Sequence, residues 1–395
     1  MIPPRLSPHW FVVAILSLLC VASCREAPDP GPGEARDPVL ATPFVIQSEV
    51  TIGGDAATGP MALGGIRTAR LVGSLVLVPE VMIQEIRVFD LSGEYVETFG
   101  RRGAGPGEYE ALGAVFGLPG EGVVGWDRGR RTATLHGATG IETVALFQGQ
   151  FPDRTPQFLG VLRDTTFVVG LPREALGLRG FPPGPFTDTV PFLRVDRRGL
   201  IVDTIAMIEA PEREVFDVGP MWGVERYILG DELRAVVTGE QLVIVTGREV
   251  RRYSASGASL VHEWPTPSPA ITSDLVRAER ERRISQLGTS RVLVDGQSVA
   301  KLHRDVIRDL PVTEDPLPAF DDIRVGEGGA VWVRAFTMPS DTISTWFLID
   351  ADGRTRGYLE LPIDERIESG TSEHVIVRSR DTLGSTVLKI LELGG

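Results

Sequence analysis

Residues 85–112 read EIRVFDLSGEYVETFGRRGAGPGEYEAL. A β-type run, Ile86 to Asp90, enters a four-residue turn, Asp90-Leu-Ser-Gly93, and a second β-type run follows from Tyr95 to Phe99. Aspartate at the start of such a turn can accept bonds from the turn backbone, and glycine at its end supplies positive φ. A glycine-rich connection, Gly100 to Tyr109, then leads to the next apolar stretch.

The same elements recur along the chain. A small or polar turn running into an apolar β-type run occurs at Gly73–Val78, Gly122–Trp126, Asp164–Val169, Gly239–Val245, Gly329–Val333 and Glu373–Val377. A four-residue turn closed by glycine occurs at Asp90–Gly93, Gly137–Gly140, Asp196–Gly199, Ser254–Gly257, Asp350–Gly353 and Asp381–Gly384. The two markers alternate six times, which predicts six repeated units of three to four antiparallel strands. The expected fold is therefore all-β, a six-bladed β-propeller over residues 44–395. Insertions account for units longer than a lean blade. Gly177 to Phe186 reads as a long loop exposing Phe181 and Phe186. A helical insertion is expected at about residues 273–310, between blades four and five. Its first helix, capped by Ser273, pairs Arg277 with Glu281 and Glu279 with Arg283 and reads as largely solvated. Its second, about 297–310, carries Val299, Leu302, Val306 and Leu310 on one face and stops at Pro311.

The N-terminus predicts location. Arg5 precedes an apolar run from Trp10 to Val21, about 18 Å of helix against a hydrocarbon core of about 30 Å. This fits an export signal over residues 1–23 better than a membrane span. The run ends in Val21-Ala-Ser-Cys24, which resembles the bacterial lipobox and implies a lipid on Cys24. Arg25, rather than Asp, follows the cysteine, and in that family this implies the outer membrane. Cys20 leaves with the signal, so the mature chain is expected to have no free thiol, no disulfide and no cysteine-based metal site. Residues 24–43, rich in Pro, Gly and acid, read as a flexible tether.

Composition narrows the function classes. The 395 residues carry 40 Lys+Arg against 53 Asp+Glu, a formal net charge of −13, which argues against a nucleic-acid partner. The hydrophobic fraction of 42 % is too low for a multi-span membrane protein and too high for a disordered chain. Lysine occurs only at 301 and 389, and asparagine is absent, a bias that reflects a GC-rich genome.

Residues 85–112 resemble the signature of bacterial six-bladed β-propellers related to NHL-repeat proteins. That family carries I-x-V-F-D, a D-x-x-G turn, V-x-x-F-G, and a G-R-x-G-x-G-P-G-E-[FY] loop, in this order. Here these are Ile86–Asp90, Gly93, Val96–Gly100 and Gly100–Tyr109, with a weaker continuation to Asp127. The Asp-x-x-Asn-x-Arg element common in NHL repeats is missing. The resemblance implies an anchored propeller with NHL- or TolB-like architecture, and no particular activity.

Local catalytic motifs are absent. Gly103–Gly107 lacks the Gly-Lys-Ser/Thr and following helix of a phosphate loop, and neither G-x-S-x-G nor H-E-x-x-H occurs. His136, His262, His303 and His374 fall in different units. Without asparagine, the calcium site of related lactonases cannot be completed, so neither metal nor cofactor is expected. Because a propeller gathers one residue per blade at its axis, a hydrolase or lyase site there stays an alternative, as does a purely structural envelope role. The favoured reading is a binding module for a protein, peptide or glycan. The candidate binding residues are Arg101, Arg102, Glu108, Tyr109 and Asp127, whose other reading is packing between adjacent blades.

Overall fold

The computed structural model describes residues 41–394 except 119–121, 147–150, 174–180, 219–221, 255–258, 265–267, 288–292 and 295–296. The expectations for the signal at 1–23, for Cys24 and for most of the tether at 24–43 lie outside the described residues. No described helix is long and apolar enough to cross a membrane.

The fold is all-β, a propeller built from four-stranded antiparallel meanders. Unit one comprises Arg70–Val72, Leu75–Glu80, Glu85–Asp90 and Tyr95–Phe99. Unit two comprises Leu112–Leu118, Gly122–Asp127, Thr132–Gly137 and Gly140–Ala145, and unit three Gln157–Val161, Phe167–Gly170, Thr189–Val195 and Ile201–Glu209. Unit four is Arg234–Thr238, Gln241–Thr246, Glu249–Ser254 and Ser259–Glu263; unit five is Phe320–Val325, Val331–Ala335, Ile343–Ile349 and Thr355–Pro362. Unit six takes Arg366–Gly370, His374–Arg380 and Thr386–Gly394, then borrows its outermost strand, Val45–Gly53, from the other end of the chain.

Burial follows strand position. The second strand of each unit has neighbours on both sides and on both faces, so runs such as Leu75–Glu80 and Gly122–Asp127 are buried almost throughout. That two-sided burial demands a continuous apolar run rather than alternation. Outermost strands such as Tyr95–Phe99 and Gly140–Ala145 stay largely exposed.

A separate apolar cluster fills each space between successive units. Val88 and Tyr109 belong to the cluster between units one and two, Trp126 and Phe167 to the next, and Phe192 and Ile244 to the third. Trp264 and Phe320 lie between units four and five, and Trp332 and Ile367 between five and six. Ile52, Phe89 and Ile376 join unit six back to unit one. Polar staples reinforce these seams. Arg252, fully buried, donates to Gly329 O at 2.6 Å and Asp350 O at 2.7 Å, tying unit four to unit five.

The aspartate turns repeat closely. At Asp90, Asp196, Asp350 and Asp381, the first carboxylate oxygen accepts the N–H two residues and four residues on, at 2.8–3.0 Å. The closing glycines, 93, 199, 353 and 384, sit at φ +80° to +86°. One placement differs from expectation. The Asp381–Gly384 turn joins the second and third strands of unit six, not the third and fourth, because the fourth strand comes from residues 45–53.

Other departures concern the insertions. Helix α1 (Ser273–Gln286) is capped by Thr272, whose hydroxyl accepts from Leu275 N at 3.2 Å; Ser273 is already helical. Nor is α1 merely solvated. Glu279 is buried between Arg282 and Arg283, and Leu275, Val276 and Ile284 pack on helix α2 (Val299–Asp309) within one apolar cluster. Glu281, the expected partner of Arg277, gives way to Asp274 at 2.7 Å. Part of the loop read at 177–186 is a strand: Gly184–Phe186 pairs with Arg213–Asp217, which pairs with Trp222–Arg226, a three-stranded sheet that pattern reading missed.

Candidate functional site

The two ends of the propeller are built differently. Where the inner strands finish, every connection runs two to five residues, from Gly73-Ser74 to Asp350–Arg354. Where the inner strands begin lie all the long connections: 54–69, 100–111, 146–156, 171–188, 210–233 and 264–319. The last three carry the extra sheet and both helices. Short turns keep one end plain, and insertions elaborate the other.

The sequence-derived set belongs to the second of these long connections. Arg101 pairs with Glu108 at 2.7 Å, and Glu108 also accepts Gly105 N at 2.8 Å. Those bonds hold the Glu108 carboxyl below the usual carboxylate range, the Gly105 amide first and Arg101 second. Arg102 donates to Met82 O at 2.6 Å. Tyr109 is fully buried, its hydroxyl 2.7 Å from His136 Nε2, and burial raises the phenol and lowers the imidazole. The Cβ of any residue replacing Gly125 would fall 2.1 Å from the Tyr109 oxygen, so the tyrosine fits only against glycine. Asp127, also buried, accepts Glu110 N and Gly129 N, at 2.6 and 2.9 Å. Arg101, Arg102 and Glu108 thus present charge at the surface, while Tyr109 and Asp127 hold the loop from beneath and clasp unit one to unit two.

A cleft of about 580 Å³ opens at the elaborated end, between units three and four and helix α1. Its apolar wall includes Leu159, Phe192 and Leu233; Arg226, Asp231 and Arg283 are among its charged groups. The insertion is fastened there by Arg283, which donates to Arg226 O at 2.8 Å and Tyr227 O at 2.7 Å. His303 Nε2 lies 2.7 Å from Glu225 Oε1 and ties α2 to the extra sheet. Burial pushes the Asp231 carboxyl up to about 6, although the Gly247 amide donates to it. Pattern reading missed this cleft because its residues come from separate stretches between 157 and 286. A signal existed in the length of the 210–233 and 264–319 connections.

Charge also concentrates on the axis. Asp322, fully buried, lies 3.0 Å from both Arg324 Nη2 and Arg366 Nε and 3.9 Å from Arg234 Nη1. Glu368, equally buried, lies 2.9 Å from Arg378 Nε. Burial raises the Glu368 carboxyl, against the pull of the surrounding guanidiniums. At the plain end a mouth of about 260 Å³ is lined by all six units, through Arg70, Phe116, Gly160, Thr238, Glu327 and Gly370 among others. Among the described residues, no group of three or more His, Cys, Asp or Glu could hold a metal ion.

No protein-family model matches the chain, and no curated protein matches it in sequence. Solved structures do match in fold. A DUF4221-family protein of Bacteroides vulgatus aligns over 90 % of this chain and 98 % of its own, with 9 % identity and a TM-score of 0.51. A Bacteroides fragilis protein provisionally named as exported covers the same shares, with 13 % identity and a TM-score of 0.48. Virginiamycin B lyase from Staphylococcus aureus covers 87 % and 99 %, with 10 % identity and a TM-score of 0.41. At these identities the likeness is one of fold, and the DUF4221 structure carries it.

Proposed function

We propose that this chain is an exported lipoprotein, anchored through Cys24 in the outer membrane, whose six meanders are six blades of a binding module. Its ligand is a protein, peptide or glycan of the cell envelope, taken at the elaborated end. The observation that supports this is the asymmetry of the ends: all the long connections and the 580 Å³ cleft fall on one of them. An apolar wall with a few convergent charges is the usual make-up of a recognition site on a rigid β scaffold. Arg101, Arg102 and Glu108 stand at the same end and extend its charged rim.

Two measurements test the reading. Cross-linking in intact cells, followed by mass spectrometry, should give an envelope partner that is lost in Leu233→Glu, which puts a charge on the cleft wall. A partner retained at wild-type yield by a folded Leu233→Glu variant refutes the site. Separately, Cys24→Ala should move the protein from the membrane fraction to the soluble fraction; continued membrane association refutes the anchor.

One observation favours a hydrolase or lyase instead. Asp231 lines the cleft with its carboxyl near 6, suited to proton transfer around neutral pH. Turnover of an envelope glycan or ester that disappears in Asp231→Asn would favour this reading over simple binding.

A further inference from the structure

The axis carries more positive than negative charge. Five guanidiniums, of Arg70, Arg234, Arg324, Arg366 and Arg378, gather around two carboxylates, Asp322 and Glu368. Arg234 is also paired with Glu232, at 2.6 Å, so the net excess is two; the neighbouring Arg334 and Asp321 pair with each other and leave it unchanged. The surplus lies within a chain whose net charge is −13. Gathering like charges in a partly buried site is costly unless a counter-charge completes the set. Arg70 shows the consequence most directly. Its guanidinium lies 5.4 Å from the centre of the Phe116 ring, and its Nη1 is buried without a hydrogen-bond partner among the described residues. Burial first, and repulsion from Arg324 second, lower Arg70 to about 10. Nearly every buried polar group finds a partner in a finished structure, and this unpartnered guanidinium belongs to a residue that lines a cavity.

The cavity is reached from the plain end. Its rim is mostly small residues, including Gly73, Gly117 and Gly239, and its carboxylate, Glu327, is exposed to solvent. About 260 Å³ admits a small solute and excludes a folded partner.

We propose that the mouth of the axis binds a small free oxyanion, a carboxylate or phosphate compound, whose oxygens accept from the Arg70 guanidinium and are attracted by the neighbouring Arg324. Arginine suits the task because its planar fork matches the geometry of such oxygens. The site is distinct from the cleft at the other end and does not rest on what that cleft binds.

The test is calorimetric titration of the full chain, purified in detergent, with inorganic phosphate and with citrate at constant ionic strength. One of the two should saturate a single site with a Kd below about 1 mM. Arg70→Gln should weaken that binding at least tenfold, with Arg277→Gln, on the exposed side of α1, binding as the wild type does. Should Arg70→Gln fail to fold, Arg70→Lys keeps the charge, loses the fork, and should weaken binding at least threefold. The proposal is overturned if neither anion saturates by about 10 mM. It is equally overturned if a folded Arg70 variant binds as tightly as the wild type, or if Arg277→Gln weakens anion binding as much as Arg70→Gln does.

Discussion

At the residue scale, the sequence pattern and the structure meet in the clasp around Tyr109. Its motif was legible because a buried aromatic, a tight glycine loop and an acidic turn must occur in a fixed local order to seal two units. The axial arginines were not legible. The inner strands of four units contribute one each, so Arg70, Arg234, Arg324 and Arg366 carry no shared local motif and converge only when the ring is formed. Asp231 offers the clearest single-residue measurement. Its folded value of about 6 exceeds the ordinary 3.8, so the native state binds the proton more tightly than the unfolded chain does. Stability must then fall as pH rises from about 4 to about 6, by up to about 3 kcal/mol at this single carboxyl. Denaturant unfolding at several pH values should therefore show wild type gaining on Asp231→Asn as pH is lowered from 7 to 4. Parallel curves would contradict it.

At the element scale, what could be read depended on which face water reaches. Second strands are buried on both faces, so their apolar runs stand out, while an outermost strand such as Tyr95–Phe99 is exposed along most of its length. Helix α2 was legible from its single apolar face. Helix α1 was misjudged because arginines do its anchoring: Arg283 and Arg280 bond the carbonyls of Arg226, Tyr227 and Leu310. The extra sheet gave no signal at all, since Gly184–Phe186 is three residues long and contains a proline. Glu279 keeps α1 in place. Burial opposes its charge, but Arg282 and Arg283 outweigh burial and hold the carboxyl below its ordinary 4.5. The stability it supplies is present above about pH 4.5 and is lost as pH falls through the lower folded value. Glu279→Ala should cost about 3 kcal/mol, because Arg283 is left buried without its partner. Hydrogen exchange should show faster exchange over 273–309, with the six units unchanged.

At the scale of the whole propeller, each unit relies on its neighbours, and the seam between units six and one must hold like the other five. Val45–Gly53 lies antiparallel to Thr386–Gly394 from Val45↔Gly394 to Gly53↔Val387. Just before it, Phe44 donates its N–H to Tyr358 O at 2.8 Å and packs on Trp332, so the chain enters the ring against unit five. Excising residues 45–53 should expose the edge of Thr386–Gly394 and open the cluster around Ile52 and Ile376. Calorimetry should then show a broadened or split transition at lower temperature, with concentration-dependent association. A single sharp transition at the wild-type Tm would mean that the strand is dispensable.

That closing strand also fixes an order in time. Its partners stand 334 to 349 residues further along the chain, so the first strand to emerge during synthesis must wait for the last. Joining ends so far apart costs about 5 kcal/mol of chain entropy, and folds that depend on distant pairings form slowly. Until Thr386–Gly394 arrives, unit six stays unfinished, and the half-made ring offers two open edges to whatever strand comes near. Maturation of this protein is therefore a race between closing on itself and pairing with a neighbour, decided at its final strand.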